Sequence, residues 1–201
     1  MRRDIIVVDD FLENPDVVRE YALVQKYEMY GGRNWPGRDS SECHGQEEMT
    51  QMCSEVVGQK LAIKPQNKCS YFRCTKIGQH GSQHIHFDPN PTLIWAGVLY
   101  LTPIFHPKGG TKFWKHKETG WEKAPTNEQG AEYGLHSYSD MLQFFNTEGK
   151  DESKWIETDN IAFKYNRLIM FNPFLWHSNG ELFGIGHEDA RLVQLFFFHG
   201  L

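Results

Sequence analysis

A mainly β fold with flanking helices is the class this sequence predicts, and three observations predict it. From residue 68 onward, short runs rich in β-branched and aromatic residues recur at 69–77, 93–101, 111–116, 161–171 and 191–199. Helical spacing of apolar residues is confined to the first third, where Met49, Met52, Cys53, Val56, Val57 and Leu61 share one stripe. The run 93–101 is apolar on both alternating faces, which suits a strand inside a sandwich better than one on a solvated edge.

Taken in order, Ile5–Val8 reads as a strand, and Asn14-Pro15 then supplies a helix cap followed by proline at the first helical position. A helix is expected from there to about residue 29, ended by Gly31-Gly32. Residues 33–38 read as an exposed loop in which Trp35 sits between the cations Arg33 and Arg38, a place for ligand contact. The methionine-rich stripe reads as a helix packed on a sheet. Within the β series, 117–157 is polar and aromatic without alternation, carries a short helix from about 140 to 146, and reads as an insertion over one mouth of the sandwich. Its aromatics, Trp121, Phe144, Phe145 and Trp155 among them, suit a lid that excludes water.

At 201 residues the chain is expected to form one domain over 1–201, with helical support in 1–67 and the β core in 68–201. A net charge of -5 and scattered Lys and Arg disfavour a nucleic-acid partner. The apolar run at the N-terminus is too brief for a signal-peptide core or a membrane span, so a cytoplasmic protein without a membrane partner is expected. Cys43, Cys53, Cys69 and Cys74 include no Cys-x-x-Cys pair and read as free thiols. Oligomeric state is open.

Chemistry centres on His84-Ile85-His86-Phe87-Asp88. Extended backbone places His84, His86 and Asp88 on one face, because strand side chains alternate. Two imidazoles and a carboxylate on one side of a metal form a facial triad with open positions for substrate and oxygen. Chance alone supplies about half a His-x-Asp in a chain of this composition, so the motif needs company. It has some: His177 follows the strand-like run 167–171, and Arg191 opens an alternating strand with Val193, Leu195 and Phe197. That register turns the guanidinium inward, where it needs an anion, and a dicarboxylate matches its planar fork.

The ordered set His86-x-Asp88, Gly109-Gly110-Thr111-x-Phe113, His177 and Arg191, with Tyr100-Leu101 before the double glycine, resembles the Fe(II)/2-oxoglutarate dioxygenases, most closely the prolyl-hydroxylase-like branch and its bacterial and viral relatives. The similarity covers roughly residues 68–200, with Asp9-Asp10-Phe11-Leu12 an echo of that domain's start. It implies a distorted double-stranded β-helix, or jelly roll, with Fe(II) held by His86, Asp88 and His177. It also implies 2-oxoglutarate chelating the iron, Arg191 on its far carboxylate, Tyr100 beside the co-substrate, and O2 as oxidant. The usual outcome in the family is hydroxylation of a C–H bond with release of succinate and CO2. Asp88 argues against halogenation, since family halogenases lack that carboxylate. The substrate class is a small molecule or an amino-acid-like group, a protein side chain included.

Against the family's common spacing, residues 179–190 must form an extra loop before Arg191, which makes Arg73 and Arg167 its substitutes. His80 and His84 read as surface or supporting residues. A ligand pair His84 plus His86 would suit a cupin, but Asn90-Pro91 stand where that pattern wants a Glu. Gly109-Gly110 also fits a plain hairpin turn, and Tyr100 a core position. The alternative function is a catalytically silent sandwich serving as a binding or structural module. Convergence of the three ligands on one point separates the two.

Overall fold

The computed structural model describes residues 4–28, 35–64, 68–81 and 84–200. Its elements run β1 (Ile5–Val8), α1 (Pro15–Leu23), β2 (Tyr27–Glu28), β3 (Arg38–Cys43), α2 (Gln46–Val57), β4 (Leu61–Ala62), β5 (Tyr71–Thr75), β6 (Leu93–Tyr100) and β7 (Phe105–His116). The insertion holds α3 (Asn127–Glu132), α4 (Tyr138–Glu148) and a 3-10 turn at Glu152–Lys154. The chain closes with β8 (Trp155–Lys164), β9 (Leu168–Phe171), β10 (His177–Asn179) and β11 (Arg191–Gly200).

Two antiparallel sheets result. The larger runs β1-β9-β6-β11-β5-β3-β2, with β4 also on β11, and the smaller runs β10-β7-β8. His86 pairs with His177 as an isolated bridge, which adds its segment to the edge of the smaller sheet. From β5 to β11 the chain keeps crossing between sheets, so each sheet contributes one inner face to a shared interior.

Alternation along β11 shows how sequence sets these layers. Leu192, Phe196 and Phe198 pack with Phe72, Leu99 and the apolar stripes of the helices, including Ala22 of α1 and Met49 and Cys53 of α2. Val193 and Leu195 face the other way, with Tyr71, Val98, Phe113, Phe163 and Phe171 between the sheets. A third cluster lies under the insertion, where Phe145 and Trp155 bury against Ile85, Phe87, Trp114 and Trp176.

Several expectations change in the folded chain. The first helix stops at Leu23, and Tyr27–Glu28 pairs with β3; Gly31-Gly32 and Arg33 lie outside the described residues. Arg38, expected to end the loop 33–38, instead begins the strand Arg38–Cys43, drawn onto β5 by the Asp39–Arg73 pair and by Phe72 N–H donating to Ser40 Oγ at 3.0 Å. Its sequence, RDSSEC, has no apolar alternation to announce it. Residues 1–67 therefore supply strands as well as helical support. The run 161–171 breaks at Asn166, whose φ of 60° turns the chain between β8 and β9 and whose side chain pairs with both Leu12 N–H and Leu12 C=O. Asparagine tolerates that backbone conformation better than most residues.

The second insertion helix is longer than expected and opens on a Ser137/Asp140 capping box; α3 opens on a matching Thr126/Gln129 box. All four cysteines are free, and burial pushes the Cys53 and Cys69 thiols up to about 12. Among the described residues no helix is long and apolar enough to cross a membrane.

Asp9 ties the β1–α1 connection to the β8–β9 turn. It accepts from Arg167 Nε at 2.5 Å and Nη2 at 3.0 Å, and from Lys164 Nζ at 3.0 Å. The Arg167 hydrogen bond first, then Lys164, lower its carboxyl from 3.8 to about 2. A depressed carboxyl contributes stability above its unfolded value, and that contribution fades as pH falls toward the folded one. With Asp9 partly solvated, Asp9→Asn should cost about 0.5–1 kcal/mol at pH 7, read from urea midpoints. The gap between the two midpoints should narrow as pH falls from 4 toward about 2; a gap undiminished at pH 2 would assign the effect to packing instead.

Candidate metal and anion site

His86 and His177 meet through their backbones before they meet through their rings. His86 N–H donates to His177 C=O at 3.0 Å, and His177 N–H donates to His86 C=O at 2.8 Å. Asp88, two residues on, is held by its N–H on Pro173 C=O at 2.8 Å. On the other side, β10 pairs with β7, setting His177 opposite Phe113 and Asn179 opposite Thr111. One ligand atom from each of His86, Asp88 and His177 lies within 4.8 Å of the others, so this group could hold a metal ion.

Each histidine is oriented in the same way. His86 Nδ1–H donates to His84 C=O at 3.0 Å and His177 Nδ1–H to Leu175 C=O at 2.8 Å. With those protons fixed on Nδ1, each Nε2 carries a lone pair toward the cluster. Burial pushes His86 well below its ordinary value, and His177 adds to that, so its neutral form is favoured. The His86 ring is also packed by Trp35, with centroids 3.9 Å apart.

Asp88 is 9% exposed, and its Oδ2 has no hydrogen-bond partner among the described residues. The nearest cationic candidate, His177 Nε2, lies 3.9 Å away. Burial raises the Asp88 carboxyl, opposed by His177 and Arg73. A buried carboxylate oxygen without a partner is costlier still than a buried neutral amide or hydroxyl left unpaired. A divalent cation among Oδ2 and the two Nε2 lone pairs would remove that cost, so the donor set fits a metal. His84 stands apart: its side chain meets Glu152 at 3.2 Å, because the segment is not a regular strand and only His86 pairs. The His84 plus His86 pair is therefore not assembled.

The pocket beside this cluster encloses about 760 Å³, mouth included, and among the described residues two arginines reach its wall. Arg191 is 5% exposed. Its Nε donates to Gly109 C=O at 2.9 Å and its Nη2 to Gly110 C=O at 3.1 Å, with Tyr100 and Phe163 stacked against the guanidinium. Among the described residues no carboxylate pairs with it. Gly109-Gly110 thus lies inside β7 rather than in a hairpin turn. A Cβ on Gly110 would stand 1.8 Å from Ile161 C=O, which explains why glycine is needed where β7 closes on β8. The loop between Asn179 and Arg191 is present as the spacing requires.

Arg73 shares the pocket but is held side-on by Asp39, at 2.6 and 3.0 Å. Arg167 is engaged by Asp9 and Ala162 C=O and does not reach the pocket. Tyr100 is fully buried and does not line the pocket; its OH bonds Thr111 Oγ1 at 2.8 Å, and Thr111 does line it. Trp35 forms part of the wall, whereas Arg38 is exposed at the start of β3. Among the described residues the insertion contributes none to this wall. Its aromatic face is buried instead against Ile85, Phe87 and Trp176, behind the metal-facing segments. Sequence reading gave no role to Asp39, which holds Arg73, or to Ser178 on the pocket wall, and named Thr111 only within the double-glycine motif; the parity of Tyr71, Arg73 and Thr75 along one strand face was the signal for the β5 side of the wall.

Solved structures share this fold. HygX from Streptomyces hygroscopicus, with nickel, 2-oxoglutarate and hygromycin B bound, is 13% identical at a TM-score of 0.58, over 99% of this chain and 84% of that one. A Pseudomonas putida prolyl-4-hydroxylase is 13% identical at 0.52, over 98% and 93%. The non-haem α-ketoglutarate-dependent carbocyclase SnoK from nogalamycin biosynthesis is 8% identical at 0.57, over 99% and 80%. At such identities the likeness shows the fold. No curated protein sequence matches the chain. A family model does match, over residues 1–181, and by that match the chain belongs to the family of unknown function DUF6445.

Proposed function

We propose that this chain is an Fe(II)- and 2-oxoglutarate-dependent oxygenase on a distorted double-stranded β-helix, hydroxylating a C–H bond of a small-molecule or amino-acid-like substrate with release of succinate and CO2. One observation carries the reading: an unpartnered buried carboxylate oxygen stands among two histidine nitrogens in the same pocket as a buried arginine without a counter-ion. The crossing of successive strands between two sheets supports the fold assignment, as do the oxygenase structures that share it. Convergence of the three ligands favours an enzyme over a silent module.

His86, Asp88 and His177 would hold the iron, which when bound supplies the redox chemistry that couples oxidative decarboxylation of 2-oxoglutarate by O2 to C–H hydroxylation. The chain's own contributions follow from its geometry. The Nδ1 protons, fixed on backbone carbonyls, keep both Nε2 atoms available as ligands. Three protein ligands on one side leave positions for the co-substrate and oxygen. Arg191 supplies the cation for a far carboxylate, its plane set by the Gly109 and Gly110 carbonyls. Charge balances: a divalent metal and Arg191 offset Asp88 and a dicarboxylate, while Arg73 and Asp39 neutralise each other. Val98, Phe171, Leu195 and Phe197 give the remaining wall an apolar surface that limits water. The structural relatives include one with hygromycin B bound and a prolyl-4-hydroxylase, which supports either a small metabolite or an amino-acid-like group as substrate.

Anaerobic addition of Fe(II) and 2-oxoglutarate should produce a visible metal-to-ligand charge-transfer band. His86→Ala should abolish it, and Arg191→Ala should raise the 2-oxoglutarate needed by about 100-fold. A well-folded protein that shows no band would overturn the assignment. Gly110→Ala should weaken 2-oxoglutarate with metal stoichiometry unchanged, since the added Cβ displaces the strand that orients Arg191. Calorimetry with Ni(II) in place of iron reads both quantities; unchanged 2-oxoglutarate affinity would separate the double glycine from arginine positioning.

A further inference from the structure

Among the described residues two guanidinium groups share this pocket, and a far carboxylate occupies only one. β5 and β11 run antiparallel with Arg73 opposite Val193 and Thr75 opposite Arg191. Arg73 and Arg191 are therefore diagonal neighbours on one face, a relation that sets Cβ atoms about 7–8 Å apart. Both reach the pocket wall, as do Tyr71 and Thr75 from the same face of β5.

Their surroundings differ. Arg191 is fixed by two carbonyls at the deep end, beside Tyr100 and Phe163. Arg73 is more open, with 18% of its side chain exposed, and Asp39 engages its Nε and Nη2 edge. A guanidinium carries five N–H donors. Asp39 uses two of Arg73's, and Nη1 has no hydrogen-bond partner among the described residues. Asp39 thus holds one edge of Arg73 against rotation, while Arg73 itself lines the pocket. Arg191 is the more deeply buried of the two, and Arg73 lies in the more open part of the same wall that His86, Asp88 and His177 line.

We propose that Arg73, oriented by Asp39, is a second co-substrate-binding residue that donates from its free edge to the keto-acid carboxylate of 2-oxoglutarate, while Arg191 takes the far one. This rests on the co-substrate reading above. It gives the Asp39–Arg73 pair a reason to face the pocket. A keto-acid carboxylate brought next to Asp88 sets two negative groups close together, and a donor fork beside them orients the incoming one. Asp39 leaves the pocket's net charge unchanged, so the contribution of Arg73 is directional.

The test uses the anaerobic Fe(II) charge-transfer band with two probes, 2-oxoglutarate and 2-oxobutyrate, the second lacking the far carboxylate. In Arg191→Met, 2-oxoglutarate should weaken about 100-fold and 2-oxobutyrate by less than about twofold. In Arg73→Met, both should weaken by the same factor, about tenfold or more. Asp39→Asn/Arg73→Met, which leaves no buried carboxylate behind, should repeat that pattern if the single variant folds poorly. Loss confined to 2-oxoglutarate in Arg73→Met would place Arg73 on the far carboxylate and overturn the proposal, as would unchanged affinity for both probes. Absence of a band with either probe in the unaltered protein would instead overturn the co-substrate reading beneath it.

Discussion

The reciprocal backbone hydrogen bonds between His86 and His177 are the constraint on which the rest of the site depends. Residues 91 positions apart in the chain are locked into one register by two bonds of 3.0 and 2.8 Å. Each such bond contributes only about 1 kcal/mol, yet together they decide which atoms face each other. A slip of one residue would turn one imidazole away from the other, because extended backbone alternates its side chains. The Nδ1 bonds to carbonyls two residues upstream then fix the rings, and the carboxylate of Asp88 completes the group. Backbone pairing and burial are what gather these three candidate donor atoms.

Burial also explains the electrostatics. Asp88 and Arg191 are charged groups in an apolar interior, and neither has an ionic partner that satisfies it fully. Isolated charges in such surroundings are costly, so a fold that retains them is organised around something absent from the chain itself. A divalent cation for one and an anion for the other offset both costs. Arg73 provides the contrast within the same wall, since Asp39 already compensates it. That difference in pairing separates the roles of the two arginines better than their distance along the sequence does.

The insertion has a mechanical part in this arrangement. Ile85 and Phe87 flank His86 in sequence and point away from the pocket into an aromatic layer with Phe145, Trp155 and Trp176. Gly149 C=O accepts from Ile85 N–H at 3.0 Å, tying the end of the second insertion helix to the ligand segment. Trp176, next to His177, is fully buried in the same layer. Both histidines of the candidate site are thus clamped from behind by residues of one cluster, an irregular stretch of chain being made rigid by packing rather than by regular strand pairing.

Sequence alone determined the elements whose information is local. Ile5–Val8, the proline start of the first helix, the methionine stripe, the long apolar strand ending at Tyr100 and the inward parity of Arg191 with Val193 and Leu195 were all legible, because periodicity and capping act within a few residues. His86, Asp88 and His177 stood out as candidate ligands for a related reason, since few residue types suit a metal and their order resembles a known family, and the fold brings them together. Only the tertiary structure decided what depends on distant partners. Arg38–Cys43 becomes a strand because β5 offers an edge and Arg73 offers Asp39 a counter-charge. The double glycine lies within a strand because Ile161 C=O crowds it from the neighbouring one. Arg191, rather than Arg167, reaches the pocket because Asp9 has already engaged the latter. Each of these outcomes was settled by an interaction between segments far apart in the chain, for which no local pattern of residues exists.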